Sequence, residues 1–317
     1  MLTQDISLAT PKSSVTDAKK TRSGYYDKHL LYEFIRLTKP TITLLVVVTV
    51  IPSLLLSTSG WPSLLPATAA LLGAGLMSAS AAVFNQLLEI DIDQNMTRTK
   101  SRGLASGRLS QTMGAGFGLL LGTMGTLILW IFGSVVAAIS ALAGHLLYVF
   151  VYTLWLKKRT SQNIVLGGAA GCVGPLIGWS AITGELALGA WLQFLIIFIW
   201  TPPHFWALSL KYQDEYKKAG IPMYPVVHGD HKTRQAIFFY TLLLFPAIGA
   251  LYLYSYASLL CSIIFISLTA RFSYLAYSLY QDGHNQKSMP VFYYSCLYAF
   301  AIFVGLALDA AVLKFLS

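Results

Sequence analysis

Three oxygen-bearing side chains recur at four-residue intervals: Asn85, Glu89 and Asp93. Four residues of helix advance ~400°, a drift of only ~40° per step, so the three share one stripe if the segment is helical. Asp91 points to another face. An amide and two carboxylates in line make a seat for a hard cation. Mg²⁺ prefers such donors and keeps substrate phosphate oxygens in its shell. Arg98, Lys100, Arg102 and Arg108 follow directly, and cations beside a metal-binding carboxylate set are what a diphosphate group requires. Taken alone, these basic residues fit a solvated loop just as well. The stripe does not, because a carboxylate at the end of an apolar helix costs energy unless it is paired or used.

A second polar group runs from Trp200-Thr-Pro-Pro-His204-Phe-Trp206 to Lys211, Asp214 and Glu215. The Pro202-Pro203 pair is expected to break or kink its helix. If the helix resumes, His204, Lys211 and Glu215 share a stripe. His204 could then ligate a metal or relay a proton, or it could bond carbonyls that the prolines free. Lys211 and Glu215 could pair with each other. The triplet Lys157-Lys158-Arg159 after Tyr152 reads as a stop signal that could also face a diphosphate. His145 reads as an internal hydrogen bonder and Asp309 as interfacial, while His228, His231 and His284 lie in loops. Gly167-Gly-Ala-Ala-Gly171 opens a close-packed helix and is no phosphate loop, since no strand precedes it.

The elements that must hold these groups are apolar. Of 317 residues, 56% are hydrophobic and 11% charged, against roughly 25% charged in an average soluble domain. Mean hydropathy is +0.62. A soluble globule, a coiled coil and a disordered chain are excluded. Nine apolar stretches are long enough to cross a bilayer: 41–59, 64–88, 112–132, 135–156, 164–183, 188–210, 235–254, 257–279 and 291–313. They do not alternate in polarity, so a bundle of helices is expected rather than a barrel. Gly114, Gly118 and Gly122 put a small-residue stripe on the third. The expected organisation is a polar tail over 1–37, ending in an interfacial helix near Tyr25–Leu37, and a transmembrane domain over 38–317. The tail has no apolar segment of signal-peptide type.

The net charge of +9 reflects topology rather than nucleic-acid binding. Every Lys and Arg except Lys314 falls in segments that nine alternating spans place on one side, which predicts a cytoplasmic N-terminus. Trp61, Trp130 and Trp179 toward one side, with Trp155 and Trp206 toward the other, read as an aromatic belt. Cys172, Cys261 and Cys296 show no metal or redox spacing and read as core. The acidic clusters end the second and sixth spans on the same side.

Asn85…Glu89-Ile-Asp91-Ile-Asp93…Met96-Thr-Arg98-Thr…Arg102…Ser106-Gly-Arg108 resembles the first motif of the intramembrane aromatic prenyltransferases, the 4-hydroxybenzoate polyprenyltransferase superfamily. Thr201-Pro-Pro-His204-Phe-Trp206, Asp214-Glu-Tyr-Lys-Lys-Ala-Gly220-Ile-Pro222-Met-Tyr-Pro225 and Asn163-Ile-Val-Leu-Gly-Gly with Pro175 and Gly178-Trp179 narrow the likeness to its protohaem IX farnesyltransferase branch. The resemblance runs from about Leu37 to the C-terminus. The chain departs from the superfamily pattern in three places, one of them Gly103 after Arg102, where Pro is often found. Glu89 stands where Asp is usual, and Lys211 and Glu215 stand near the places of two aspartates, which favours a metal on the Asn85 stripe over a second one.

The resemblance implies transfer of a farnesyl group from farnesyl diphosphate to a vinyl group of haem b, with addition of water, giving haem O and diphosphate. It implies Mg²⁺ held by Asn85, Glu89 and Asp93, and substrate contacts from Arg98, Arg102, Lys157 and His204. Lys211, Asp214 and Glu215 would take catalytic roles. It implies a downstream haem-modifying enzyme or oxidase as a partner, while the tail, with Asp5 and Asp17 against an organelle presequence, favours a bacterial inner membrane over a mitochondrial one. Three alternatives are weighed: a prenyltransferase acting on a quinone or chlorin precursor, a secondary transporter, and a structural subunit or assembly factor, which would need no carboxylate stripe beside cations. The transporter fits less well because the polar clusters sit at helix ends, not at midplane.

Overall fold

The computed structural model describes residues 30–316; the tail over 1–29 lies outside the described residues. Among the described residues all regular structure is helical. The helices are α1 (Leu30–Leu37), α2 (Pro40–Leu56), α3 (Leu64–Leu88), α4 (Ile90–Asn95), α5 (Gln111–Ile128), α6 (Val135–Leu146), α7 (Asn163–Gly168), α8 (Gly174–Thr183), α9 (Leu188–Lys211), α10 (Gln213–Lys218), α11 (Tyr224–Leu253), α12 (Leu259–Gln281) and α13 (Ser288–Leu316). Eight of the resulting rods are long and apolar enough to cross a membrane, and a ninth is formed if α1 and α2, bent by 47°, count as one. The chain is an integral membrane protein of the expected helical class.

Lipid offers backbone groups no partner, so each rod closes its own hydrogen bonds. Helix α5 shows how small residues then bring rods together. A Cβ on Gly122 would lie 2.9 Å from Ser80 Oγ, and that hydroxyl donates instead to Gly118 O at 2.7 Å. The glycine stripe thus clamps α5 onto α3, the helix carrying Asn85. The core falls into two parts. Around α2, α3, α6 and α8 it is built from small side chains such as Ala70, Ala74, Ala137 and Ala141. Around α9, α11, α12 and α13 it is built from large ones, including Trp206, Phe265, Phe272 and Phe303.

Several expectations change. Helix α9 continues through Pro202 and Pro203 and ends beyond them at Tyr212, whose φ of −109° and ψ of 23° are not helical. Helix α11 begins at Tyr224, well before the stretch at 235–254, and breaks at Gly229, whose φ of 78° is left-handed. Trp179 and Trp206 are buried and Cys296 is exposed, so two of the five belt tryptophans are core and one of the three cysteines is not. Trp206 stacks on Tyr224 at 4.5 Å. Two stretches, Leu129–Gly133 and Leu147–Leu156, are wound as π-helix.

Candidate functional site

The segment bearing the first polar group is not one helix. Glu89 has φ −112° and ψ 16°, so α3 ends before it and α4 restarts after it. The ideal stripe is interrupted, yet Asn85, Glu89 and Asp93 are all buried, each 3% exposed. Burial of two carboxylates requires partners, and three cations supply them from three elements. Lys157 Nζ donates to Glu89 Oε1 at 2.6 Å. Arg102 Nη1 donates to Asp93 Oδ1 and Oδ2 at 2.8 and 2.6 Å. Lys39 Nζ donates to Asn85 Oδ1 at 2.8 Å. Glu89, Asp93, Arg102 and Lys157 all act electrostatically on Lys39, so the six side chains form one polar focus.

Local structure explains how each cation arrives. Lys39 sits in the break between α1 and α2 with φ 47°, a left-handed conformation rare outside glycine. The following Pro40 occupies the first turn of α2, where its missing N–H is harmless. Lys157 closes the π-helical stretch, its N–H bonding Tyr152 O at 2.9 Å. That wider winding shifts the helix face, a feature often found at functional sites. It brings Thr153 Oγ1 to within 3.2 Å of Asn85 Nδ2 and stacks Tyr148 on Tyr152 at 5.4 Å. Arg102 comes from the α4–α5 loop, which α1 holds down through Arg108 Nε and Glu33 Oε1 at 2.8 Å.

Lys39 and Tyr148 also line a cavity of about 110 Å³ that descends between α2, α3, α6 and α8. Its walls are mostly small and apolar, with Ala74, Ala81, Ala141 and Gly171 among them. His145 lines it too, its Nδ1 3.5 Å from Met77 O. A charged focus over a greasy slot suits an amphiphile with an anionic head.

The second polar group is arranged differently. Lys211 and Asp214 are exposed and Glu215 is half-buried. Glu215 Oε2 is shielded without a hydrogen-bond partner. The break at Tyr212 ends the stripe that would have joined His204 to Glu215. His204 lies higher in α9, stacked between Trp200 and Phe292 at 4.3 and 4.8 Å. Its Nδ1 meets Ser295 Oγ at 2.7 Å rather than the carbonyls near the prolines. Arg98 bridges the two groups: it lies over the Tyr212 ring at 5.9 Å and acts on Tyr216, as do Glu89 and Glu215. Burial pushes the Tyr216 hydroxyl above the ordinary phenol range, with Arg98 opposing it, so this side chain stays protonated. Lys39, Tyr148 and Tyr216 were not singled out from sequence; the Lys39-Pro40 pair opening the first span was the available signal.

The donor types of the first focus suit a hard divalent ion, while Lys39, Arg102 and Lys157 hold those side chains in this structure. Among the described residues no group of three or more His, Cys, Asp or Glu stands close enough to cage a metal. Two carboxylates and an amide oxygen, all buried, still match an ion that shares its shell with substrate phosphates and water.

The description "UbiA prenyltransferase family" matches residues 46–302. The chain belongs to the UbiA prenyltransferase family. Among its relatives, the protohaem IX farnesyltransferase of Leptospira biflexa is 40% identical over 281 residues, covering 87% of this chain and 98% of the relative. That of Roseiflexus sp. is 42% identical over 289 residues, covering 89% of this chain but only 53% of the relative, so the chain spans about half the length of that longer protein. Solved structures of the family share the fold. A digeranylgeranylglyceryl phosphate synthase matches with TM-score 0.74 at 18% identity, covering 88% of this chain and 98% of the other. A UbiA homologue from Archaeoglobus fulgidus bound to GPP and Mg²⁺ matches with TM-score 0.64 at 16% identity, covering 86% and 99%.

Proposed function

We propose that the chain transfers a farnesyl group from farnesyl diphosphate to a vinyl group of haem b, with addition of water, giving haem O and diphosphate. The observation that carries this reading is the buried focus of Asn85, Glu89 and Asp93 with Lys39, Lys157 and Arg102, set over the apolar cavity. The names of the Leptospira and Roseiflexus relatives support haem as the acceptor, and the Archaeoglobus homologue, solved with a prenyl diphosphate and Mg²⁺, supports the donor class and the ion.

Asn85, Glu89 and Asp93 would hold Mg²⁺, which when bound neutralises the diphosphate as a Lewis acid. Lys39, Lys157 and Arg102, with Arg98 reaching in from the loop, offset the charge that builds on the leaving diphosphate as its bond to the allylic carbon lengthens. The Tyr148 ring, which lines the cavity, would stabilise the cation left behind. The small-residue cavity accepts the isoprenoid and keeps water from it. The vinyl group attacks the allylic carbon, and water adds to the resulting cation. Asp214 or Glu215 accepts the proton of that water, and the unpartnered Glu215 oxygen is the better placed of the two. Lys211 adds positive charge to the same mouth. His204 contacts the acceptor. The mouth faces the cytosol of a bacterial inner membrane, following the bias of basic residues. A haem-modifying enzyme or oxidase would consume the product.

Purified protein incubated with haem b, farnesyl diphosphate and Mg²⁺ is expected to yield a haem heavier by one farnesyl group and one hydroxyl, and none with EDTA. Prenylation of a quinone or chlorin precursor with no haem product would replace this reading.

A further inference from the structure

We propose that His204 ligates the iron of the haem acceptor through Nε2, and that Ser295 fixes the tautomer that leaves this nitrogen free. The inference rests on the haem reading above and deepens it.

The argument starts from one hydroxyl hydrogen. Ser295 Oγ donates to Phe292 O at 2.6 Å. A serine hydroxyl has a single hydrogen to give; with that hydrogen assigned to the Phe292 carbonyl, Ser295 Oγ accepts from His204 Nδ1, 2.7 Å away. Nδ1 therefore carries the proton, and in a neutral imidazole Nε2 then holds the lone pair. Cys296 Sγ, 3.9 Å from the ring, also lies on the Nδ1 side. Nε2 has no hydrogen-bond partner among the described residues, and no carboxylate pairs with the ring.

The ring is also held in place. Trp200 lies nearly parallel to it, 20° between planes, and Phe292 covers it at 27°. Trp200 is itself anchored, its Nε1 donating to Ser295 O at 2.9 Å. An imidazole with one nitrogen bonded, its plane fixed and its other nitrogen bare is the arrangement that metal-ligating histidines adopt. Packing alone would call for a side chain without unused hydrogen-bonding capacity. His204 is half-buried and its Nε2 is not among the polar atoms shielded from solvent, so this nitrogen is open to an incoming ligand. The other spanning histidine, His145, lies in the opposite half of the core against Met77 O. His228 and His231 lie in the first turns of α11 rather than in a loop, and His228 Nε2 is engaged by Ser161 Oγ at 2.9 Å. The bond formed is a dative one from Nε2 to iron; Nδ1 keeps its proton and nothing is released.

The test uses the full chain in detergent without farnesyl diphosphate, titrated with protohaem IX and with iron-free protoporphyrin IX. Haem is expected to bind about tenfold or more tightly than the iron-free ring, and the ferrous complex to show an iron–histidine stretch by resonance Raman. His204→Ala should lose that band and the preference for iron, and added imidazole should restore an axial ligand. Ser295→Ala should keep the band but shift it, with haem affinity about tenfold weaker. Equal binding of the two rings by the unmodified protein overturns the ligand assignment alone, as does an unchanged band in His204→Ala. Binding of neither ring overturns the haem reading together with the ligand.

Discussion

The two polar groups at the basic end of the bundle use the same residue types and are built in opposite ways. At the α3–α4 junction each acidic or amide side chain is buried and held by its own cation. At the α9–α10 junction Lys211 and Asp214 stand in the open and Glu215 keeps one oxygen unpartnered. The first is closed on itself by these pairs, which on the proposed reading a bound cation and diphosphate would exchange for pairs with the ligand. The second has unused capacity, as suits groups that act on water or on a transient partner. On the proposed reading, similar sequence clusters thus carry unequal parts of the chemistry.

This contrast breaks if the two junctions respond alike to substitution. The largest effect is expected at the first. Glu89→Gln and Asp93→Asn should each lower turnover by about a hundredfold to a thousandfold in the mass assay for farnesylated haem. Stability sharpens the point. Lys157→Met leaves the buried Glu89 uncompensated and should destabilise by about 3–5 kcal/mol in denaturation of the detergent-solubilised protein. Adding Glu89→Leu should recover most of that loss, because a buried ion pair contributes little net stability over apolar packing. Activity should not return with it. At the second junction, Glu215→Gln should slow turnover by about tenfold and divert product toward a farnesylated haem lacking the added water. The smallest effect is expected for Lys211→Ala: a rise of a few-fold in KM, and melting unchanged within about 0.5 kcal/mol, because the side chain is exposed.

The sequence made the spans readable because apolar length is a property of composition, and lipid enforces it segment by segment. Asn85, Glu89 and Asp93 were readable for a related reason, since carboxylates are scarce enough here that their spacing stands out. The partners were not. Lys39 looks like one more basic residue of a polar tail. Only its left-handed backbone and the return of α3 beside α2 bring it to Asn85. The π-helical winding that delivers Tyr148, Thr153 and Lys157 leaves no mark in hydropathy. The prolines of α9 suggested a break that the structure places at Tyr212, because neighbouring helices support the helix through residues 202 and 203. His204 was visible as an isolated polar residue, but its pairing with Ser295, 91 positions away, follows from tertiary packing alone.

The most direct measurement is equilibrium binding of a non-cleavable farnesyl thiolodiphosphate as Mg²⁺ is varied. The account predicts that Mg²⁺ tightens binding to the unmodified protein and to Glu215→Gln, and that this dependence disappears in Asp93→Asn. Unchanged Mg²⁺-dependent binding in Asp93→Asn, or its loss in Glu215→Gln instead, would contradict the assignment of the diphosphate to the α3–α4 junction.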